Sequence, residues 1–515
     1  MKKIEEKISN LYSKFSKEDK ITLIIILLLT MIFCSAFLQM HYSSDTYVLI
    51  DLGYEEYPSK YFIIEGRFIS TLVCYIAGFF NLSYETYIVG MDFIGIILLA
   101  ISIFIFYRKI KDIFNVNIIL DKILLLGITF VLILNQFVLE YLLFPESAIM
   151  CLSLLLTVIA ITKVVSEEKN KFIKIFILMF FSIYCYQTTC ISFIIISIVL
   201  VFIKQLCNKE TSKKIIIKAI KDIFIISLIV MVILLSNFFI VKNVGNQNLE
   251  NRLLDIKNLK ELIIKIRATE GDVQFLWSSY REMLPMNFNN LVCIITIMFM
   301  IICSKIRKLF PQYVFIILIL LVASTTVIFL TDTGACVRLN LHIALFWGIS
   351  LIYLFIIRQE TNINIVRKLV NIIIIVSFVF NSIMLIRNSY EHISANKIDQ
   401  NIGYMISSLL EEYERTTGYR VTKFSYIYNG YESPNAMYSQ GIRELGSLTE
   451  KKFCCNWCVQ SAMEFFCNRE FEAAIIKNEH FEEYQNWVKE MKYVDCNVFS
   501  EKQLLFIEDN FYFYN

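Results

Sequence analysis

The sequence has little of what a soluble enzyme uses to cover its surface and to end its helices. Only 18% of its 515 residues are charged, 57% are hydrophobic, and the chain holds just 5 prolines and 15 glycines. A soluble domain of this composition would lack the polar side chains needed to cover its surface, so the composition predicts a polytopic, mainly α-helical membrane protein. The formal charge of +3 gives no reason to expect nucleic acid as a partner.

Patterns typical of metal sites and disulfide frameworks are also scarce. The 4 histidines form no pair at helical ligand spacing, and no set of CxxC pairs has the spacing of a zinc site. Most of the 14 cysteines lie in apolar runs, where cysteine acts as a small hydrophobic residue. The exception is a cluster near the end of the chain, which fits either a disulfide or free thiols: Cys454, Cys455, Cys458, Cys467 and Cys496. No cofactor is firmly predicted, and no cysteine is assigned a catalytic role.

Long apolar runs, in contrast, are abundant. Because about 20 apolar residues cross a bilayer as a helix, the sequence predicts about 11 crossings. They lie near 21–40, 87–107, 123–140, 147–165, 172–187, 189–203, 222–241, 291–308, 312–330, 338–357 and 369–386. Residues 1–20 are expected to lie in the cytoplasm and to lead into an uncleaved first span, since no small-residue cleavage site follows the apolar run.

The basic connections between these runs predict the orientation of the chain. Lys and Arg concentrate in five connections, which should all be cytoplasmic: 108–112, 166–174, 204–222, 304–308 and 358–368. They lie on one side only if the short apolar segment 67–80 does not cross. We therefore expect 67–80 to form a re-entrant or interfacial helix within a first outer loop, 41–86. A second long outer loop covers 242–290.

After the membrane domain, 21–387, the chain changes character. Residues 388–515 are polar and predict a helix that ends at Gly418, a strand within 419–431 and a turn at Asn429-Gly430. Helices around 459–467 and 471–491 and a final strand within 502–514 follow. This is the pattern of a small α/β domain outside the membrane. The expected location is thus the cytoplasmic membrane, with many crossings, a cytoplasmic N-terminus and an outer C-terminal domain.

The first outer loop carries the best candidates for catalysis. Asp45 lies about one helical turn beyond the first span, where apolar surroundings raise the pKa of a carboxylate and suit it to act as a general base. A helix cap or a solvated interfacial acid is the alternative. Asp51 is the second candidate acid. In the Glu65-Gly66-Arg67 sequence, Arg67 is suited to clamp a phosphate while glycine permits close approach. A snorkelling arginine or a salt bridge to Glu65 is the alternative there.

Three further outer segments carry polar side chains suited to a sugar phosphate. Glu146, after Pro145, fits either a substrate contact or an acid favoured by a helix dipole. Tyr186 and Gln187, in the "YQTT" sequence, supply an aromatic face and an amide that could bind sugar hydroxyls. The alternative is a tight turn in which these residues satisfy the hydrogen bonds of their own backbone. The remaining candidates, from the segment before the tenth span, are Asp332 and Arg338. An arginine at that depth is suited to hold a phosphate or to snorkel.

Taken together, these motifs resemble the bacterial glucosyl transferase II family of O-antigen glucosylation, and more broadly the GT-C class of polytopic glycosyltransferases. The resemblance covers roughly 20–390 and rests on "SSDTY", "EGR", "PES", "YQTT", an outer arginine and an α/β tail. It implies a polyprenyl-phosphate sugar as donor and a first-loop acid, Asp45, as catalytic base, with Glu65 and Arg67 at the "GR" position. Many GT-C proteins have an acid pair where this chain has a single Asp45, which leaves divalent-cation dependence open.

The expected function is therefore transfer of a hexose from a polyprenyl-phosphate sugar to a cell-surface polysaccharide at the outer face of the membrane. Glucose is the leading candidate for this hexose. Membrane lipids, the glycan acceptor, a flippase and a polyprenyl-phosphate glucosyltransferase are the expected partners. The alternatives are a polysaccharide polymerase or ligase, a lipid-linked sugar flippase or transporter, and a non-catalytic assembly or sensor protein. Transport is disfavoured because span centres are almost wholly Ile, Leu, Phe and Val and no repeat is present.

Overall fold

The computed structural model describes residues 16–207, 213–244, 260–261, 263–268, 286–302, 310–330, 338, 341–427, 446–492 and 499–514. Its main α-helices are labelled in chain order. They are α1 Lys17–Phe33, α2 Ser44–Tyr57, α3 Phe68–Phe79, α4 Tyr84–Phe114, α5 Ile119–Ile133, α6 Gln136–Leu139, α7 Ser147–Val164, α8 Lys171–Cys185, α9 Thr189–Cys207, α10 Lys213–Val244, α11 Met286–Ile302, α12 Phe310–Leu330, α13 Leu341–Glu360, α14 Asn364–Thr417, α15 Val459–Cys467 and α16 Phe481–Met491.

Several helices are long and apolar enough to cross a bilayer. Within the described residues there are 6 by length and composition, namely α4, α7, α9, α10, α13 and α14, and up to 7 if the bent pair α5–α6 is one span. That pair bends by 53° at a short break. The other four predicted crossings correspond to α1, α8, α11 and α12, which do not qualify by themselves over the described residues.

The surface of the helical bundle agrees with a membrane setting. Large apolar side chains point outward on three helices, with Ile24 55%, Phe224 68%, Phe239 59% and Ile372 56% exposed. Monomeric soluble proteins rarely expose apolar surface on this scale, so a lipid environment explains it. At the centre of the bundle, α13 is buried along almost its whole length.

The segment expected not to cross forms α3, a helix of 12 residues. At about 1.5 Å per residue it rises about 18 Å, well short of the roughly 30 Å hydrocarbon core. A π-helical turn, Pro58–Phe62, precedes it and returns the chain from α2. The geometry therefore agrees with a short helix that belongs to the loop between α1 and α4.

Helix α14 joins the bundle to the C-terminal domain without interruption. It runs for 54 residues, whereas the sequence suggested a span ending near 386 and a separate helix after 388. No proline interrupts this stretch, so the polar residues beyond the apolar part continue the same helix. The helix ends where predicted, at Gly418, whose φ of 78° provides the left-handed C-cap.

The C-terminal domain contains a four-stranded sheet of order β2-β1-β4-β3. The strands are β1 Lys423–Ile427, β2 Glu472–Ala473, β3 Leu504–Ile507 and β4 Asn510–Tyr514. Strand β1 is parallel to β2 and to β4, with Phe424 opposite Ala473 and Phe511, while β3 and β4 form an antiparallel hairpin. The sequence predicted one strand here, but the turn at Glu508, with φ of 54°, makes two.

Other predicted elements of this domain vary in accuracy. The predicted helix at 459–467 is confirmed as α15. The helix predicted over 471–491 is wrong in its first half, which forms β2 and a short turn before α16 begins at Phe481. The predicted turn at Asn429-Gly430 lies outside the described residues. Among the cluster cysteines, Cys455, Cys458 and Cys467 are buried free thiols.

Candidate active site between the helical bundle and the C-terminal domain

Asp45 lies in the first turn of α2, two residues after the N-cap Ser43. The Ser43 hydroxyl accepts a hydrogen bond from the Thr46 N–H at 3.1 Å, and the Thr46 side chain accepts one from the Ser43 N–H in return. This reciprocal cap fixes where α2 begins and so where Asp45 lies. An acid in the first helical turn also interacts favourably with the helix dipole.

The Glu65-Gly66-Arg67 sequence forms a tight turn between α2 and α3. Gly66 has a φ of 72°, and a Cβ there would lie 2.3 Å from the Asn237 Oδ1 atom, so this position requires glycine. Asn237 of α10 donates to the Gly66 carbonyl at 3.0 Å, and Gln187 donates to the Glu65 carbonyl at 2.6 Å. Two distant elements thus hold the turn from one side.

The turn directs Arg67 between two carboxylates. Its guanidinium lies 2.6 Å from Glu65 Oε2 and 2.5 Å from Glu146 Oε1, and it lies over the Tyr186 ring at 4.9 Å. The Arg67 side chain is only 12% exposed and that of Glu146 only 1%. Glu146 therefore belongs to a buried ion pair that joins α7 to the first loop, and its side chain does not cap α7. The salt bridge between Arg67 and Glu65, which was the alternative to a phosphate clamp, is present.

Arg338 approaches the same region from the segment before α13. Its backbone N–H donates to Glu140 Oε2 at 2.7 Å, and its guanidinium lies over the Phe144 ring at 4.3 Å. Glu140 is fully buried in the 3₁₀ turn that follows α6. The sequence analysis assigned no role to Glu140 or Phe144, whereas the structure places both against Arg338.

We use "the Asp45 site" for the group Asp45, Glu65, Arg67, Glu146 and Arg338. No described residue donates a hydrogen bond to the Asp45 carboxylate, and its pKa is raised to about 6. Removal from water is the main cause; the cations of Arg338 and Arg67 oppose it, while the charge of Glu65 adds to it. Part of Asp45 remains accessible to solvent. A carboxylate of this pKa is ionised at neutral pH and is basic enough to take a proton from a hydroxyl.

The neighbouring acid Glu146 responds in the same way. Burial raises its pKa to about 7, Arg67 opposes the shift, and the charge of Asp45 adds to it. Tyr57, which is buried beside both acids, has its phenol pKa raised by burial and by their charges. Because Asp45 and Glu146 repel each other, protonation of one favours ionisation of the other.

The structure separates the other predicted residues from this group. Asp51 lies two turns further along α2, where it accepts a hydrogen bond from Ser461 of α15 at 2.7 Å. It also lies beside Glu464, whose pKa is raised mainly by burial and further by Asp51. Gln187 and Tyr186 support the turn at Gly66 and the guanidinium of Arg67. Asp332 lies outside the described residues.

The C-terminal domain covers the start of α2. Ser44 donates to Glu450 Oε2 at 3.4 Å, and its hydroxyl lies 3.9 Å from Cys455 Sγ. Tyr42, just before the start of α2, is held by α14, because its N–H donates to Asn396 Oδ1 at 2.5 Å. The segment 450–455 is therefore placed directly over the first turn of α2 and contributes one wall of the Asp45 site.

A buried chain of hydrogen bonds links this domain to the bundle. Asp92 of α4 lies 2.8 Å from His41 Nε2, His41 Nδ1 lies 3.1 Å from His392 Nε2, and His392 Nδ1 lies 2.6 Å from the Leu448 carbonyl. The carbonyl only accepts, so His392 Nδ1 carries a proton and its Nε2 accepts one from His41. His41 Nε2 then faces the Asp92 carboxylate at 2.8 Å.

We expect His392→Ala to loosen the C-terminal domain. The substitution leaves the Leu448 carbonyl and the His41 Nδ1–H without their buried partner, which costs about 2–4 kcal/mol of folding free energy. Thermal unfolding of the purified chain and limited proteolysis of residues 446–514 measure the effect. Ser394→Ala, on the same helix, removes only an exposed bond to Tyr390 and serves as control. Equal protease resistance of the two variants would contradict the role of the chain.

Sequence reasoning missed the histidine chain and the acid Glu140. His41 directly precedes the first-loop motif, and Asp92 is an acid inside an apolar run, which is itself a signal of function or pairing. His392 has no comparable signal, because its partner is 351 positions away along the chain.

Among the described residues, one group of side chains could hold a metal ion. The side chains of Glu479, His480 and Glu508 place ligand atoms within 4.8 Å of one another, on the exposed side of the C-terminal domain. Exposed groups of this type are common without a metal ion. The acids of the Asp45 site do not form such a group in the described part of the chain.

Comparison of the chain with protein-family models, curated proteins and solved structures gives no match.

Proposed function

We propose that the protein is a membrane glycosyltransferase that moves a hexose from a polyprenyl-phosphate sugar to a cell-surface glycan. Glucose is the leading candidate for this hexose. The observation that carries the proposal is the convergence at one place of Asp45, with its raised pKa, and the cations Arg67 and Arg338. A carboxylate base and fixed cations are the groups that this reaction needs, and here they lie between an apolar bundle and a covering domain.

In the proposed reaction, the Asp45 carboxylate removes the proton from the acceptor hydroxyl. The hydroxyl oxygen attacks the anomeric carbon, and the bond from that carbon to the phosphate oxygen breaks. Its electron pair leaves with the prenyl phosphate, and the proton stays on Asp45. We assign the phosphate to Arg338, whose guanidinium lies over the Phe144 ring at the same site, while Arg67 holds the carboxylates of Glu65 and Glu146 in position.

The proposed topology has 11 crossings, an inner N-terminus and an outer C-terminal domain. It requires α1, α8, α11 and α12 to cross in addition to the helices that are long enough on their own. An impermeant thiol reagent should then label Ser59→Cys but not Asn170→Cys on intact cells. The opposite pattern, or both labelled, would contradict the orientation.

Sugar transfer in isolated membranes tests the function. Membranes containing the chain should transfer labelled glucose from polyprenyl-phosphate glucose to a membrane glycan, and membranes without it should not. A nucleotide-activated glucose, supplied with no prenyl phosphate present, should give no product. Transfer from the nucleotide sugar alone, or none from the prenyl-linked sugar with acceptor glycan present, would reject the proposal. Supply of the donor requires a prenyl-phosphate glucosyltransferase and a flippase upstream.

A further inference from the structure

Lys452 is a buried lysine whose ammonium group has no hydrogen-bonding partner among the residues that the structure describes. Its side chain is 1% exposed, and no described residue forms a hydrogen bond with its Nζ atom. The backbone around it is well anchored: its N–H donates to Asp399 Oδ1 at 3.3 Å, and its carbonyl accepts a bond from Cys458 Sγ at 3.2 Å. Burial of an unpaired charge opposes folding, so such a group is usually retained because something pairs with it.

The position of Lys452 relates it to the Asp45 site. It begins the 3₁₀ helix Lys452–Cys454, between Glu450 and Cys455, the two residues that contact Ser44 at the start of α2. The Lys452 charge acts on the Asp45 carboxylate in the same direction as Arg338 and Arg67. The C-terminal domain therefore brings a third cation to the site, and this cation comes from a region where the sequence predicted no function.

The three cations differ in the contacts that they already make within the protein. Arg67 is bound by Glu65 and Glu146, and Arg338 stacks on Phe144 beside Glu140. Within the described part of the chain Lys452 has no such contact, so an incoming anion would gain more from it than from Arg67. A lysine ammonium is a compact point charge and a common partner of phosphate.

We propose that Lys452 binds the phosphate group of a prenyl-phosphate ligand together with Arg338 and so makes the C-terminal domain part of the transferase site. The inference rests on the proposed function. The donor is a phosphodiester with one negative charge, and the leaving prenyl phosphate gains charge as the bond to the sugar breaks. Lys452 therefore stabilises the leaving group more than the donor, as a catalytic cation must. Ligand binding also pairs the buried charge and tightens the covering domain on the bundle.

Thermal unfolding of the purified full-length chain tests this, with a C55 prenyl phosphate or inorganic phosphate as probe. The prenyl phosphate should raise the unfolding midpoint of the wild type in a saturable manner. Lys452→Met should have a midpoint without ligand equal to or above that of the wild type, because it removes a buried unpaired charge. Its affinity for the prenyl phosphate should fall about 10- to 100-fold. Lys452→Arg, which keeps the charge, should retain most of the binding.

Lys423→Met is the matched control, since Lys423 pairs with Asp509 on the sheet and should bind like the wild type. Wild-type affinity in Lys452→Met, no response of the wild type to the prenyl phosphate, or loss of binding in Lys423→Met as well would overturn the inference. Equal affinity for inorganic phosphate and for the lipid would overturn the assignment to a prenyl phosphate. If the lipid binds through Lys452 but no sugar is transferred in membranes, the proposed function fails and the binding site stands.

Discussion

Asp45→Asn is expected to lower sugar transfer by about 10²- to 10⁴-fold, the usual contribution of a general base. The amide keeps the size of the side chain and cannot accept the proton of the acceptor hydroxyl. No described residue donates a hydrogen bond to the Asp45 carboxylate, so the exchange removes no such contact and the protein should fold. The rate of transfer from polyprenyl-phosphate glucose in membranes, at equal protein level, is the measurement.

The pH profile of the wild type adds an independent readout. Because burial raises the pKa of Asp45 to about 6, the base is protonated below that pH, and transfer should rise as pH increases through about 6. The charge of Glu146, whose pKa is about 7, couples to this titration and broadens the rise. By linkage, the same upward shift makes the folded state less stable as pH rises through this range, and Asp45→Asn should remove that contribution.

Glu56→Gln provides the control on the same helix, since Glu56 forms an exposed pair with Lys60 that contributes little. It should leave both the rate and the pH profile unchanged. If Asp45→Asn transferred sugar at the wild-type rate, Asp45 would not be the base, whatever its pKa.

Arg67→Met is expected to cause the largest loss of stability, about 3–5 kcal/mol, together with loss of transfer. The substitution leaves the carboxylates of Glu65 and Glu146 buried without their shared cation. It also removes the guanidinium from the Tyr186 ring. The unfolding midpoint of the purified protein and its yield in the membrane measure the effect.

A double-mutant cycle separates stability from activity. In the Glu146→Gln background, Arg67→Met should lower the free energy of unfolding by much less than in the wild type. Only one buried carboxylate, that of Glu65, then loses its cation. That double variant should regain much of the folded protein and still fail to transfer sugar, since the turn that carries the site has lost its ion pairs. Arg108→Met, which breaks a more exposed pair with Asp19, should change stability by about 1 kcal/mol or less. Additive effects in the cycle would mean that Arg67 and Glu146 do not interact.

The candidate residues show how far a sequence carries such a prediction. Four candidates stood out because a charged side chain beside an apolar run costs free energy in a membrane. They are Asp45, Glu65, Arg67 and Arg338, and the structure brings them together. Asp51 stood out for the same reason. It lies six residues after Asp45 on α2, however, and therefore points toward the covering domain, where it contacts Ser461. Tyr186 and Gln187 are in the right region, yet their side chains support the turn at Gly66 and the guanidinium of Arg67.

The sequence by itself determined the membrane character, the end of α14 at Gly418 and helix α15, because these depend on local hydrophobicity and on caps within a few residues. Only the tertiary structure decided that Asp92, His41 and His392 form one hydrogen-bonded chain and that Lys452 lies over the start of α2. Those contacts join residues hundreds of positions apart, and their formation depends on how helices and sheet pack, which no local pattern records.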